Sequence, residues 1–88
     1  MIRRRVVVHG RVQGVFFRDT ARRRAQQRSV AGWITNRWDG AVEAVFEGEP
    51  DAVESMVRFV HDGPRGAEVE RVEVYEEEPE GLAGFNVR

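Results

Sequence analysis

Val8-His9-Gly10-Arg11-Val12-Gln13-Gly14-Val15-Phe16-Phe17-Arg18 holds the end of an apolar strand, a loop with two glycines and the start of a helix-compatible run. Gly10 and Gly14 can take positive φ and carry no side chain, so consecutive N–H groups between them can turn toward one point. The start of the following helix adds partial positive charge, and Arg18 adds a guanidinium fork that can meet two oxygens at once. The stretch reads as a cradle for a small anion such as phosphate. A strand, a glycine-containing turn and a helix also make an ordinary βα connection, and the spacing is neither G-x-G-x-x-G nor G-x-x-x-x-G-K-[ST].

Working outward, Arg3 to His9 alternates as a strand with Val6 and Val8 on the expected core face and Arg5, Val7 and His9 on the other. From Phe16 or Phe17 to about Arg28, Phe17, Ala21 and Ala25 recur at helical spacing, with Thr20 widening the stripe. Asp19, in the first turn, is expected to face away from the cradle. Ser29 stands where a helix stop prefers glycine. Val30 to Asn36 and Ala41 to Phe46 read as a hairpin around the Asp39-Gly40 pair. Glu49-Pro50-Asp51 opens a second helix, Val53, Met56, Val57 and Val60 mark its buried stripe, and Gly63-Pro64 ends it. Strand four is expected from Ala67 to Tyr75, with a bulge near Glu70-Arg71 because Val69 and Val72 are out of phase. Glu76-Glu77-Glu78-Pro79 reads as a solvated turn, and Phe85 and Val87 as a short terminal edge strand.

The order predicts an α+β, ferredoxin-like βαββαβ sandwich: an antiparallel sheet, two helices on one face and a short terminal strand. Strands one and two would then run in one direction. Their carboxyl ends, carrying the cradle and Asn36, would be neighbours.

At 88 residues the chain is expected to be a single domain over residues 1–88. A chain this short buries only about 60% of its unfolded surface, so the core must be compact. Cysteine is absent, which excludes disulfides, thiolate metal sites and a cysteine nucleophile. The three valines after Met1-Ile2-Arg3-Arg4-Arg5 are too short for a signal segment or membrane span, and a cytoplasmic location is expected. Residues 1–44 hold ten arginines against three acids, whereas residues 45–88 hold four arginines against twelve acids. The near-neutral total of −1 predicts little general attraction to a polyanion.

The run V-x-G-x-V-Q-G-V-x-F-R at Val8, Gly10, Val12, Gln13, Gly14, Val15, Phe17 and Arg18 resembles the first motif of the acylphosphatase family. Gly32, Trp33, Asn36, Gly40, Val42 and Gly48 resemble its second motif, with Ile34 and Thr35 departing from the family's usual choices between the fixed positions. The resemblance implies hydrolysis of the carboxyl-phosphate bond of small acyl phosphates, giving a carboxylate and inorganic phosphate. It further implies that Arg18 and the loop residues Arg11, Val12, Gln13, Gly14, Val15, Phe16 and Phe17 hold the phosphoryl group, and that Asn36 orients water. No cofactor and no metal are implied. The expected partners are the acyl phosphate and, as product and inhibitor, inorganic phosphate, with no nucleic acid or membrane and a monomeric state. The chemistry is consistent, because a carboxylate leaving group needs no strong general acid and phosphoryl transfer asks mainly for positioning and charge stabilisation.

Other residues offer less. His9 and His61 belong to no cluster with metal-ligand spacing, and Ser29 and Ser55 lack a G-x-S-x-G context. Of Phe16 and Phe17, one is expected in the core and one shielding the loop; Trp33 is expected in the core. Trp38, at the hairpin tip, is expected partly exposed and could border the acyl group. Two alternatives differ in class. One is a non-catalytic acylphosphatase-like module for phosphate or carbamoyl groups, disfavoured by a chain that begins and stops at the edges expected of the domain. The other is an RNA-binding ferredoxin-like domain, which would need aromatics on central strands where Val6-Val7-Val8 and Ala44-Val45-Phe46 stand.

Overall fold

The consecutive valines Val6, Val7 and Val8 form the centre of β1 (Ile2–Arg11), a strand that pairs on both sides, with β3 (Val42–Gly48) and with β4 (Glu68–Glu77), antiparallel in each case. The structure, a computed structural model, describes residues 1–88. Between β1 and β3 lie α1 (Phe17–Gln27) and β2 (Ala31–Asn36); α2 (Pro50–Asp62) precedes β4, and β5 (Phe85–Val87) follows it. The sheet order is β4-β1-β3-β2-β5, the expected ferredoxin-like arrangement. β5 joins β2 in parallel, so the four antiparallel strands become a mixed sheet of five.

Both helices lie on the even-numbered face of β1. Val6 and Val8 are fully buried in one cluster with Ile34, Val42, Ala44 and Phe46 from the sheet. Phe17, Ala21 and Ala25 from α1 and Val53, Met56, Phe59 and Val60 from α2 complete it. The rings of Phe17 and Phe59 meet at 5.8 Å and join the two helices. The helix that lacks a stop glycine ends all the same: Ser29 takes φ 56°, its N–H donates to Gln26 C=O, and Val30 N–H donates to Ala25 C=O. That pair of bonds is a Schellman closure with serine in the left-handed position.

The bulge expected near Glu70 is present. His9 pairs with Arg71 and Gly10 with Val69, leaving Glu70 unpaired. Pairing then carries β1 on to Arg11, past the end expected at His9. Gly10 is required there, since a Cβ would lie 2.1 Å from the Glu68 carbonyl oxygen.

Two expectations about the other sheet face are corrected. Glu76 and Glu77 belong to β4 and not to a solvated turn, because Glu77 meets Arg3 at 2.9 Å and Arg5 at 2.8 Å on the adjoining strand. Trp33 is not in the core; it is half-buried on this open face with the Arg88 guanidinium 4.4 Å above its ring. Val7, 2% exposed, and Val45, fully buried, also lie on this face; Val7 is in register with Glu43 and Glu73, and Val45 with Arg5 and Trp33, all long side chains.

Glu47, only 1% exposed, is the one fully enclosed carboxylate. Burial alone would raise its pKa, but the N–H groups of Glu80, Gly81 and Leu82 and the Arg3 guanidinium at 2.6 Å hold it below the ordinary value. The loop that carries β5 to the sheet edge is thereby fixed to β3.

Candidate active site

β1 and β2 both run antiparallel to β3, and Val8 and Asn36 pair with the same residue, Val42. The carboxyl ends of β1 and β2 therefore share an edge, and the parallel strand β5 brings Val87 to it as well. A cavity of about 440 Å³ opens at this edge. Its lining includes Val12, Gly14, Phe16, Phe17, Arg18 and Asn36.

Val12, fully buried, anchors the loop, and Phe17 locks the helix start into the core. Between them Gly14 takes φ 74° and Phe16 φ 59°, the latter a costly conformation for a bulky residue. The backbone N–H groups of Gln13, Gly14, Val15 and Phe16 donate to no carbonyl of the chain. The helix ladder begins only with Thr20 N–H to Phe16 C=O, so the first-turn amides of Phe17, Arg18 and Asp19 lack intrahelical acceptors. A run of unpaired donors at a helix N-terminus beside a cavity suits an anion.

Arg18 is half-buried, pairs with no Asp or Glu side chain and donates from Nη1 to the main-chain oxygen of Arg88 at 2.9 Å. Asn36 is half-buried, and its side-chain amide makes no hydrogen bond. The hairpin does not use it as a turn residue. Asp39 performs that work by accepting the Ala41 N–H at 3.1 Å, which with Arg37 holds its carboxyl below the ordinary range.

Three loop residues do not line the cavity. Arg11 pairs with Glu68 at 3.1 Å, Val15 packs against the core, and the Gln13 side chain donates to Arg37 C=O at 2.8 Å and Ala41 C=O at 2.9 Å. Of the aromatics, Phe17 is the expected core residue, whereas Phe16 is 81% exposed on the cavity wall. Trp38 is 97% exposed and lies outside the lining, beyond the turn that Asp39 closes. His9 also lies outside it, bonded through Nε2 to Glu73 at 2.6 Å.

Sequence reasoning missed Asp19, Arg22 and Val87, all in the cavity wall. Asp19 does not face away as expected. It stays beside the cradle because Arg22 binds it at 2.8 Å and Arg23 at 3.3 Å, and the Arg22 hydrogen bond leads in lowering its pKa. The signal was available in the spacing: Arg22 follows Arg18 by one helical turn and Asp19 by three residues.

The family model of the acylphosphatases matches residues 4–87. The chain belongs to the acylphosphatase family. A curated acylphosphatase from Rubrobacter xylanophilus is 60% identical over 96% of this chain and 77% of its own length. One from Haloarcula marismortui is 56% identical over 98% of this chain and 94% of its own. The crystal structure of acylphosphatase from Bacillus subtilis superposes with a TM-score of 0.95 at 39% identity, covering 100% of this chain and 99% of that one. No helix here is long and apolar enough to cross a membrane.

Proposed function

We propose that the Gly10–Arg18 loop and Asn36 carry the hydrolysis of small acyl phosphates by this member of the acylphosphatase family. The observation that carries the reading is that Arg18, Asn36 and the loop residues Gly14 and Phe16, whose backbone amides are unpaired, line one cavity. The phosphoryl oxygens sit among the amides of residues 11–17 and on the Arg18 guanidinium, which the Arg88 main-chain oxygen orients. Asn36 can accept a hydrogen from water through its carbonyl and donate to developing charge through its NH₂ group. The water oxygen bonds to phosphorus as the bond to the acyl oxygen breaks, and the electron pair leaves on the carboxylate. That leaving group is stable as an anion at neutral pH, so the site works by placement and charge without a strong acid.

The same reading makes inorganic phosphate a competitive inhibitor as well as a product. The enzyme works as a cytoplasmic monomer of one domain, without metal, cofactor or nucleic acid. The open sheet face supports the last point, since the central positions Arg5, Val7 and His9 offer ion pairs and a valine where stacking aromatics would be needed.

The test is Arg18→Ala, with phosphate binding followed by calorimetry and turnover of acetyl phosphate in excess chelator. Both should fall, turnover by roughly a hundredfold or more, the scale of losing a preorganised donor worth about 3 kcal/mol. Arg18→Lys should rescue little, because one ammonium cannot reproduce a bidentate fork. Normal phosphate affinity in Arg18→Ala would remove the cradle from the mechanism.

A further inference from the structure

The cavity wall holds two cations, and the phosphoryl group uses one. Arg18 and Arg22 occupy successive turns of the same face of α1, about 6 Å apart along its axis. Arg22 gives one nitrogen, Nη2, to Asp19, leaving the N–H groups of Nε and Nη1 free. Asp19 does not cancel both neighbours, since its second oxygen is taken by Arg23; the three side chains together keep one positive charge. The same wall includes the exposed ring of Phe16 and the exposed side chain of Val87. The wall thus combines two cations with apolar surface.

We propose that Arg22 is a specificity-determining residue, selecting acyl phosphates whose acyl group carries a second anion at its far end. This rests on the phosphoryl position assigned above. With phosphorus held at Arg18, the acyl carbons lie against Phe16 and Val87, and a carboxylate or phosphate on the tail reaches Arg22. An acyl group with a neutral end leaves the Arg22 charge facing solvent and gains nothing from it. Arg22 is partly exposed, so salt screens the preference and its size stays modest.

The probes are 3-carboxybenzoyl phosphate and the same compound with that carboxylate as its methyl ester. The rigid ring keeps the carboxylate from attacking its own acyl carbon, and the two differ in charge at nearly equal size. The native protein is expected to favour the free carboxylate by about five- to tenfold in kcat/KM, mostly through KM. Arg22→Gln should bring that ratio close to one, and Asp19→Asn, which releases Arg22, should raise it. Hydrolysis of both probes at equal efficiency by the native protein, or a ratio that survives Arg22→Gln, overturns the specificity while leaving the catalytic reading in place. Hydrolysis of neither overturns both.

Discussion

The side-chain amide of Gln13 spans the gap between the cradle and the β2–β3 hairpin, donating one hydrogen to the carbonyl of Arg37 at 2.8 Å and the other to Ala41 at 2.9 Å. One side chain therefore sets the loop that leads into Arg18 against the turn that follows Asn36. Gln13→Glu replaces two donors with an acceptor facing two carbonyls. It should cost about 1–3 kcal/mol of stability and also lower turnover, because the reacting groups lose their fixed separation. Urea midpoints and acyl phosphate turnover would be compared, with Gln13→Ala as the milder change. Unaltered turnover in a destabilised Gln13→Glu would show that the contact serves folding alone.

What could be read from the chain depended on whether the governing interaction was local. Element order came from periods of two and 3.6, and the Glu70 bulge from the odd spacing of Val69 and Val72. The cradle was visible because glycine, arginine and helix start lie within one run. Trp33 was misjudged because alternation says which residues share a face and not which face the helices cover. Glu76 and Glu77 looked like a turn until Arg3 and Arg5 stood opposite them. Gln13 lies within the cradle run, and only the folded hairpin supplies the two carbonyls that occupy its side chain.

Ser29 provides a prediction free of the active site. Its φ of 56° is unfavourable for a residue with a Cβ, by roughly 1–2 kcal/mol. Glycine removes that cost but adds entropy to the unfolded chain, worth about 0.4–1 kcal/mol. Ser29→Gly should therefore stabilise by about 0.5–1 kcal/mol and raise Tm by a few degrees. A lower Tm would show that the serine side chain has a role the Schellman closure does not explain.

Acid should unfold the protein through the open sheet face. Glu73 is held at about 2, against an ordinary 4.5, by the Tyr75 hydroxyl first and His9 second. Glu77 is lowered by Arg5 and Arg3, and Glu47 is lowered despite its burial. A carboxylate depressed in the folded state adds stability that is complete above its unfolded pKa and is lost as pH falls toward the folded one. Thermal midpoints should thus be nearly level above about pH 5 and drop from there toward pH 2. Glu73→Gln should flatten part of that descent. At neutral pH Glu47→Gln should cost about 1–3 kcal/mol, because Arg3 then keeps only Glu77 and the more exposed Glu80 as charge partners and the N–H groups of Glu80, Gly81 and Leu82 lose a charged acceptor. Midpoints that did not change across the acid range would contradict the assignment of these three groups.

Asn36 separates turn chemistry from catalysis most sharply. It lies in β2, paired with Val42, and the turn's side-chain bond belongs to Asp39. Its own amide is unpartnered in the cavity wall, so removing it breaks no hydrogen bond of the fold. Asn36→Ala should therefore unfold at nearly the native temperature and bind phosphate within a few-fold of the native protein, because Arg18 and the amides are untouched. Turnover should nevertheless fall by roughly two orders of magnitude, the scale of losing one positioning contact in the transition state. Asn36→Asp keeps the size but replaces the NH₂ donor with negative charge beside the phosphoryl oxygens, so it should lose phosphate affinity as well. Calorimetry with phosphate and turnover of acetyl phosphate distinguish the cases. Near-native turnover by Asn36→Ala would mean that water is held by another group, and the amide would be no more than a neighbour of the site.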